Sequence, residues 1–421
     1  MRLTRKRQGL LLERMLVAAF YLYIVWYKEI WGDNPLILYG TVGLLTCCVL
    51  ARIITMGYLY ARVLPPMLRM YIFYALYSFL GVFVAKNSSA MLSSIVTYVC
   101  FVIVCFDCWY ISFRLGNNGW IFRILRIAAI VCALQVILAG KPYDNGVIVT
   151  TMSSINNPNG LALVLLIGIL SFAIDIKPEK LPLFIFALLA DAMMLYGIVL
   201  SGSRKCLLAA VPVLLYWLIT YMKTLVKARE YKQLFFSIFI ISAALAVCLV
   251  YIKDEFQGTA AFKRIMLLFE EGGVDTREGL YRDAFEYFKT SPLIGIGFDQ
   301  YRFWSPHGYY SHSSYAEILS CGGLVGVLLF FIPLLKCLIS CVKLSFSRGR
   351  PDAMYRIRMV TLMLVCELFL GIGQIFIYEI PHLLLLMLIS MEESKAHDAA
   401  LQGDNTSQER IGNRVETYYS I

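Results

Sequence analysis

The chain has 421 residues, of which 59% are hydrophobic and 16% charged, and its mean hydropathy is +0.70. Soluble domains hold about half apolar and a quarter charged residues, so this balance excludes an ordinary soluble globular protein and indicates a polytopic membrane protein of all-α class. The net charge of +10 fits the basic excess of inner membrane loops; with no compact basic domain bearing stacking aromatics, it gives no nucleic-acid partner.

The start, MRLTRKR, precedes a long apolar run with no small-residue cleavage site, and reads as a retained anchor rather than a cleaved signal. Twelve spans of the length a bilayer requires follow in order, at 12–30, 35–51, 67–85, 90–112, 120–139, 160–176, 181–201, 206–222, 234–252, 314–341, 359–378 and 380–391. The last is short for a crossing and reads as a tilted or re-entrant segment. The cysteines fall almost wholly inside apolar runs, where a free thiol packs as a small apolar group. Cys105 and Cys108 form a CxxC within a span, and helix packing is the reading there.

Charge sets the expected orientation. With the N-terminus cytoplasmic, the inner loops hold clusters such as Arg52, Arg62 and Arg69, or Lys343, Arg348, Arg350, Arg356 and Arg358. The short outer loops hold only Lys28, Lys86, Lys141, Arg204 and Lys205. This is the asymmetry of the positive-inside rule. Both termini come out cytoplasmic, and the polar segment 253–313 comes out external. The tail, 392–421, is polar and reads as disordered. The domain plan is therefore spans one to nine over 1–252, an external segment over 253–313, spans ten to twelve over 314–391, and the tail.

The external segment is too long to be a simple connector. Within it, GLYRDAFEYFKTSPLIGIGFDQYRF places apolar residues at helical spacing, then a proline and two glycines. A helix over 276–290, stopped at Pro292, and a turn at Gly295 and Gly297 are expected. That makes a small helical cap between spans nine and ten. Arg264, Arg277, Arg282 and Arg302 gather in it, and Arg204 lies on a neighbouring outer loop. Arginine suits phosphate because its planar fork donates two parallel hydrogen bonds. Solvated surface charges or headgroup anchors are the plainer reading of each cap arginine; Arg204, in SGSRK between two spans, is the stronger candidate, because a charge at membrane depth is costly and often marks a site. His312, just before span ten, has an ordinary pKa near neutrality and can serve as a general base; an interfacial packing role is the alternative. No HExxH, Cys/His cluster or Asp-x-Asp pair is present, so no metal site and no cofactor is expected. Asp107, Asp191, Glu317 and Glu367 are acids inside spans, each a candidate for a polar seam or a site.

Three motifs then occur in a telling order: SGSRKCLLAA, TREGLYRDAFEYFKTSPLIGIG and HSSYAEILSCGGLVG, preceded by NNPNGLALVLL at the mouth of a span. Together they resemble the O-antigen ligase and polysaccharide polymerase family of bacterial membrane glycosyltransferases. The resemblance covers about 150–340 by motif and the whole chain by topology. Ser313, Lys205 and Ala316 depart from the residues common at those places. The resemblance implies a GT-C-like helical fold in the bacterial plasma membrane. It further implies metal-independent, inverting transfer of an undecaprenyl-diphosphate-linked oligosaccharide, on the outer face, to a glycan or glycolipid acceptor. It places His312, Arg277 and Arg204 in catalysis, and Arg264, Arg282, Asn159, Tyr315 and Glu317 in substrate binding. Polymerisation of O-antigen, capsule or exopolysaccharide repeats is the expected use, with ligation to lipid A core as the alternative. A secondary transporter or lipid-linked oligosaccharide flippase is the rival from another class. The halves show no repeat, spans six and seven are joined only by KPEK, and the large insert lies between nine and ten, none of which suits it.

Overall fold

A computed structural model describes residues 2–27, 35–56, 64–142, 148–149, 158–175, 181–247, 277–347 and 351–397. Among them the chain is helical, apart from a two-residue antiparallel pairing of β1 (Lys141–Pro142) with β2 (Ile148–Val149). The helices are α1 (Arg2–Leu22), α2 (Pro35–Met56), α3 (Pro66–Ser78), α4 (Ser88–Leu115), α5 (Gly119–Ala139), α6 (Pro158–Asp175) and α7 (Leu181–Ser201). Then come α8 (Arg204–Ala228), α9 (Tyr231–Val247), α10 (Glu278–Thr290), α11 (Tyr301–Trp304), α12 (Ser314–Phe346), α13 (Pro351–Leu370) and α14 (380–397). Each of the twelve expected spans overlaps a helix, though residues 28–30, 176 and 248–252 of them lie outside the described residues. Seven of the helices are long and apolar enough to cross a membrane: α3 with its 3-10 extension to Phe83, α4, α5, α6, α7, α8 and α12. This is a multi-pass membrane protein.

Two helices lie at the centre. Residues 160–174 of α6 are buried on every side, as are 380–391 of α14. Both are almost wholly apolar, Ser171 in α6 and His382 and Ser390 in α14 being the exceptions, which is the pattern of a helix enclosed by others. The other candidate spans bury one face and leave an apolar face outward, as lipid-facing helices must. Charged pairs tie the end of the bundle away from the cap. Arg126 reaches Asp175 at 2.9 Å, and Arg356 donates to Glu392, which also takes a hydrogen bond from Asn118 at 2.6 Å.

The eleventh expected segment, 359–378, is not one helix. The α-helix ends at Leu370, and residues 371–379 form a buried turn before α14. Two glycines, Gly371 and Gly373, break the run. The twelfth segment, expected to be short, is helical to residue 397, so the first part of the expected tail is ordered helix. The remainder of the tail lies outside the described residues.

Candidate functional site

The cap is built on α10. Leu280 and Ala284 on one face of this amphipathic helix are buried, and Ala284, Ile296, Tyr301 and Cys321 form a small core that joins the cap to α12. Polar side chains close the cap on itself. Tyr301 donates to the Leu280 carbonyl at 2.8 Å, and Tyr287 to that of Trp304 at 3.1 Å. Gln300 both accepts from and donates to the backbone of Asn87, at 2.7 and 3.1 Å, and Asn87 caps α4. Asp299 accepts from Ser94 and from Arg302. Burial raises its carboxyl pKa, against the opposing pull of those two donors.

The Pro-x-x-Gly-x-Gly turn and the glycines of α12 are two halves of one joint. At Gly323 the helix leaves helical geometry, with φ 58° and ψ −164°. The cap loop supplies hydrogen bonds there: Leu324 and Val325 N–H donate to the Pro292 and Leu293 carbonyls, at 2.8 and 3.1 Å. In return, Ile296 and Gly297 N–H donate to the Ser320 and Cys321 carbonyls, at 2.9 and 3.0 Å. Backbones approach this closely because neither glycine carries a side chain. A Cβ on Gly295 would lie 2.4 Å from the Cys321 carbonyl, and one on Gly323 would lie 2.5 Å from the Gly295 nitrogen. Tyr77 of α3 donates to the Gly322 carbonyl at 2.6 Å, tying a third element to the joint.

His312 sits at the start of α12, held from two sides. Glu317, fully buried one turn into the helix, accepts from the Ser311 N–H at 3.0 Å, and its other oxygen accepts from Tyr378 at 3.1 Å. Its carboxylate is thus engaged by protein donors and positions the histidine segment. The turn 371–379 grips the other side. Ser314 N–H donates to the Gly371 and Gln374 carbonyls at 2.8 and 3.0 Å, and the Ser314 hydroxyl to Gln374 O at 2.7 Å. Tyr281 of α10 donates to the Ile372 carbonyl of the same turn at 2.9 Å. Between these anchors His312 takes a left-handed backbone conformation, φ 57°.

Burial and the neighbouring charges of Arg277 and Lys205 lower the His312 pKa. These influences favour the neutral imidazole, which can accept a proton, with two cations close enough to matter. Arg277 stands at the N-terminus of α10. Lys205 belongs to the first turn of α8 and lies against Gly373, where a Cβ would fall 2.2 Å from Nζ. Arg204, half-buried, is the first residue of the same helix. Four elements thus converge: the start of α8, the start of α10, the start of α12 and the turn 371–379.

The remaining expected residues are placed as follows. Asn159 joins the cluster through its backbone, its carbonyl accepting from Gln374 at 2.9 Å. The Tyr315 hydroxyl donates to the Leu368 carbonyl at 2.8 Å, and its ring stacks on Phe331. Arg282 is exposed on α10. Arg264 lies outside the described residues. Among the span acids, Glu367 pairs with His382 across the base of the 371–379 turn. Sequence reasoning did not single out His382, Tyr378 or this turn, and it noted Lys205 only as an outer-loop charge and a departure from the family's usual residue. The Gly-Ile-Gly-Gln run was the available signal. Among the described residues no three His, Cys, Asp or Glu side chains are grouped as metal ligands.

Residues 189–331, about a third of the chain, match the family model described as O-antigen ligase. The stretch runs from within α7 to the middle of α12, and so contains Arg204, Lys205, Arg277 and His312. The family resemblance read from the motifs is thereby shown for this stretch, and it supports an O-antigen ligase or polymerase type of function. That is a glycosyl-transferring membrane enzyme of polysaccharide biosynthesis, whose substrates in general are a lipid-linked oligosaccharide and a glycan acceptor. No curated protein matches the chain.

Proposed function

We propose that this protein transfers an undecaprenyl-diphosphate-linked oligosaccharide to a glycan hydroxyl on the outer face of the plasma membrane, extending a polysaccharide repeat by repeat. The observation that carries the proposal is the meeting of a neutral histidine with Arg277 and Lys205 at the cap side of the bundle. In the reaction the acceptor oxygen forms a bond to the anomeric carbon. The bond from that carbon to the diphosphate oxygen breaks, and the diphosphate leaves with the electron pair. Attack opposite the leaving group inverts the anomeric centre. His312 takes the hydroxyl proton as the nucleophile attacks. Arg277, Lys205 and Arg204 meet the negative charge that builds on the departing diphosphate, where fixed cations act most strongly. Both chain ends lie on the cytoplasmic side in this scheme, away from the site.

Ligation to a separate acceptor, such as lipid A core, uses the same donor chemistry, and the family description favours it as the second reading. The test uses purified protein in nanodiscs with lipid-linked repeat units alone. A ladder of longer glycans with released undecaprenyl diphosphate supports the polymerase. Transfer only after a second acceptor is added supports the ligase. No turnover in either format, with folded protein, overturns glycosyl transfer and returns the transporter reading.

A further inference from the structure

The end of the bundle away from the cap carries a groove that the proposed transfer does not use. It follows α12 from Val325, just past the Gly323 break, to Ser340, and its other walls come from α3, α4 and α14. Its volume is about 1030 Å³. From Val325 to Lys336 a helix advances about 16 Å at its standard rise. The walls along this length are apolar, with Phe73, Trp109, Leu328 and Ile332 among them.

The far rim is cationic. Arg69, Lys336 and Lys395 line it together with His397, against one carboxylate, Glu393. That carboxylate already accepts hydrogen bonds from the hydroxyls of Ser340 and Ser394. Lys395 lies 3.6 Å from Glu392. Arg69 and Lys336 are both exposed, and neither has an acidic partner among the described residues. An apolar trough that ends in available cations matches a ligand with an acyl chain and an anionic head.

We propose that this groove is a binding site for an anionic diacyl phospholipid, its phosphate held by Arg69 and Lys336 and an acyl chain laid along Leu328 and Ile332. Juxtamembrane Lys and Arg attract anionic lipid through the same charge interaction. The cationic rim lies toward the end of α12 away from His312, so a phosphate held there is not the diphosphate at the transfer site. It also lies between α3 and α12, the two helices that Tyr77 joins at the Gly322 carbonyl. A bound lipid would brace them below that joint.

The test is native mass spectrometry of the delipidated full-length protein, offered phosphatidylglycerol, phosphatidylcholine and polyprenyl phosphate in equal amounts. One phosphatidylglycerol per chain is expected to be retained in preference. R69Q/K336Q is expected to weaken that retention on the order of thirtyfold, from about one charge interaction lost per residue. R69K/K336R keeps both charges and should retain the lipid, which separates charge loss from misfolding. Phosphatidylglycerol brominated on its acyl chains should quench the fluorescence of Trp109, a signal that W109F removes. Equal retention of phosphatidylcholine, or unchanged retention by R69Q/K336Q, would overturn the proposal. So would preference for polyprenyl phosphate, or retention that appears only when residues 398–421 are removed, which would give the groove to the chain's own tail.

Discussion

Gly295 of the cap and Gly323 of α12 face each other backbone to backbone, both with positive φ, and each occupies the space where the other's Cβ would be. Alanine at either position meets main chain that has no flexible end to move aside. Gly295→Ala or Gly323→Ala is therefore expected to cost at least about 2 kcal/mol, from the left-handed conformation alone plus the forced separation of the joint. Gly308 also has positive φ, at 73°, but opens onto free space. Gly308→Ala should lose only the conformational part, about 1 kcal/mol. Thermal unfolding of the three variants in detergent checks the order; equal losses at all three would refute an interlocked joint.

Removing the imidazole should abolish most transfer without unfolding the protein. His312→Asn is the suitable variant, because asparagine tolerates the left-handed conformation at this position. A loss of about 10²–10⁴ in kcat is expected for a general base. Turnover of lipid-linked repeats, beside an unchanged melting temperature, is the measurement. Wild-type rates in the variant would dismiss the base assignment.

The pH profile follows from the sign of the shift. Burial, Arg277 and Lys205 favour the neutral form of His312, so its pKa lies below the usual 6.5. The active neutral form then dominates above that point, and activity is lost as pH falls through it. The acid limb of kcat/KM should lie below pH 6.5. Arg277→Ala and Lys205→Ala each remove a positive neighbour, so each should move that limb to higher pH. An unmoved limb in both variants would show that these cations do not act on His312.

The same two substitutions should also slow transfer. If Arg277 meets the departing diphosphate, its loss costs about 10²–10³ in kcat, the magnitude of one electrostatic donor removed. Measured on the plateau of the pH profile, this loss is separate from any change in histidine protonation. A fall in kcat below about twofold would leave the diphosphate contact without support.

Glu317 offers a test of positioning. Glu317→Ala strands the buried Ser311 N–H, which should cost about 1–3 kcal/mol. With the histidine segment loosened, kcat should fall while KM stays within about twofold. A large rise in KM with intact kcat would instead mean that the carboxylate binds substrate directly.

Much of this was legible in the chain, for reasons particular residues make clear. Apolar runs of spanning length announce helices irrespective of their neighbours, so each expected span overlaps one. The helix before Pro292 and the turn at Gly295 and Gly297 were visible as periodicity followed by breakers. The seam with Gly323 was not, because a hydrogen-bond exchange between a loop and a distant helix leaves no local pattern. Lys205 looked like one more outer-loop charge until α8 carried it to Gly373. The turn 371–379 was absorbed into an apolar span, since Ile372, Ile375, Phe376 and Ile377 hid the effect of Gly371 and Gly373 on hydropathy. His382 was hidden likewise, as one polar residue in an apolar helix.

The grip of the 371–379 turn on the start of α12 carries a consequence for biogenesis. Ser314 and Gln374 are 60 residues apart, so the ribosome releases the histidine segment well before its partners exist. Throughout the insertion of α12 the Ser314 N–H waits without the carbonyls that will later fix it. Competence for transfer therefore arrives with the final hairpin, and a chain interrupted at about residue 350 would be a membrane-inserted but silent product. Co-expression of 351–421 as a separate polypeptide should restore activity to such a chain; failure of that complementation, with both pieces inserted, would count against late assembly of the site.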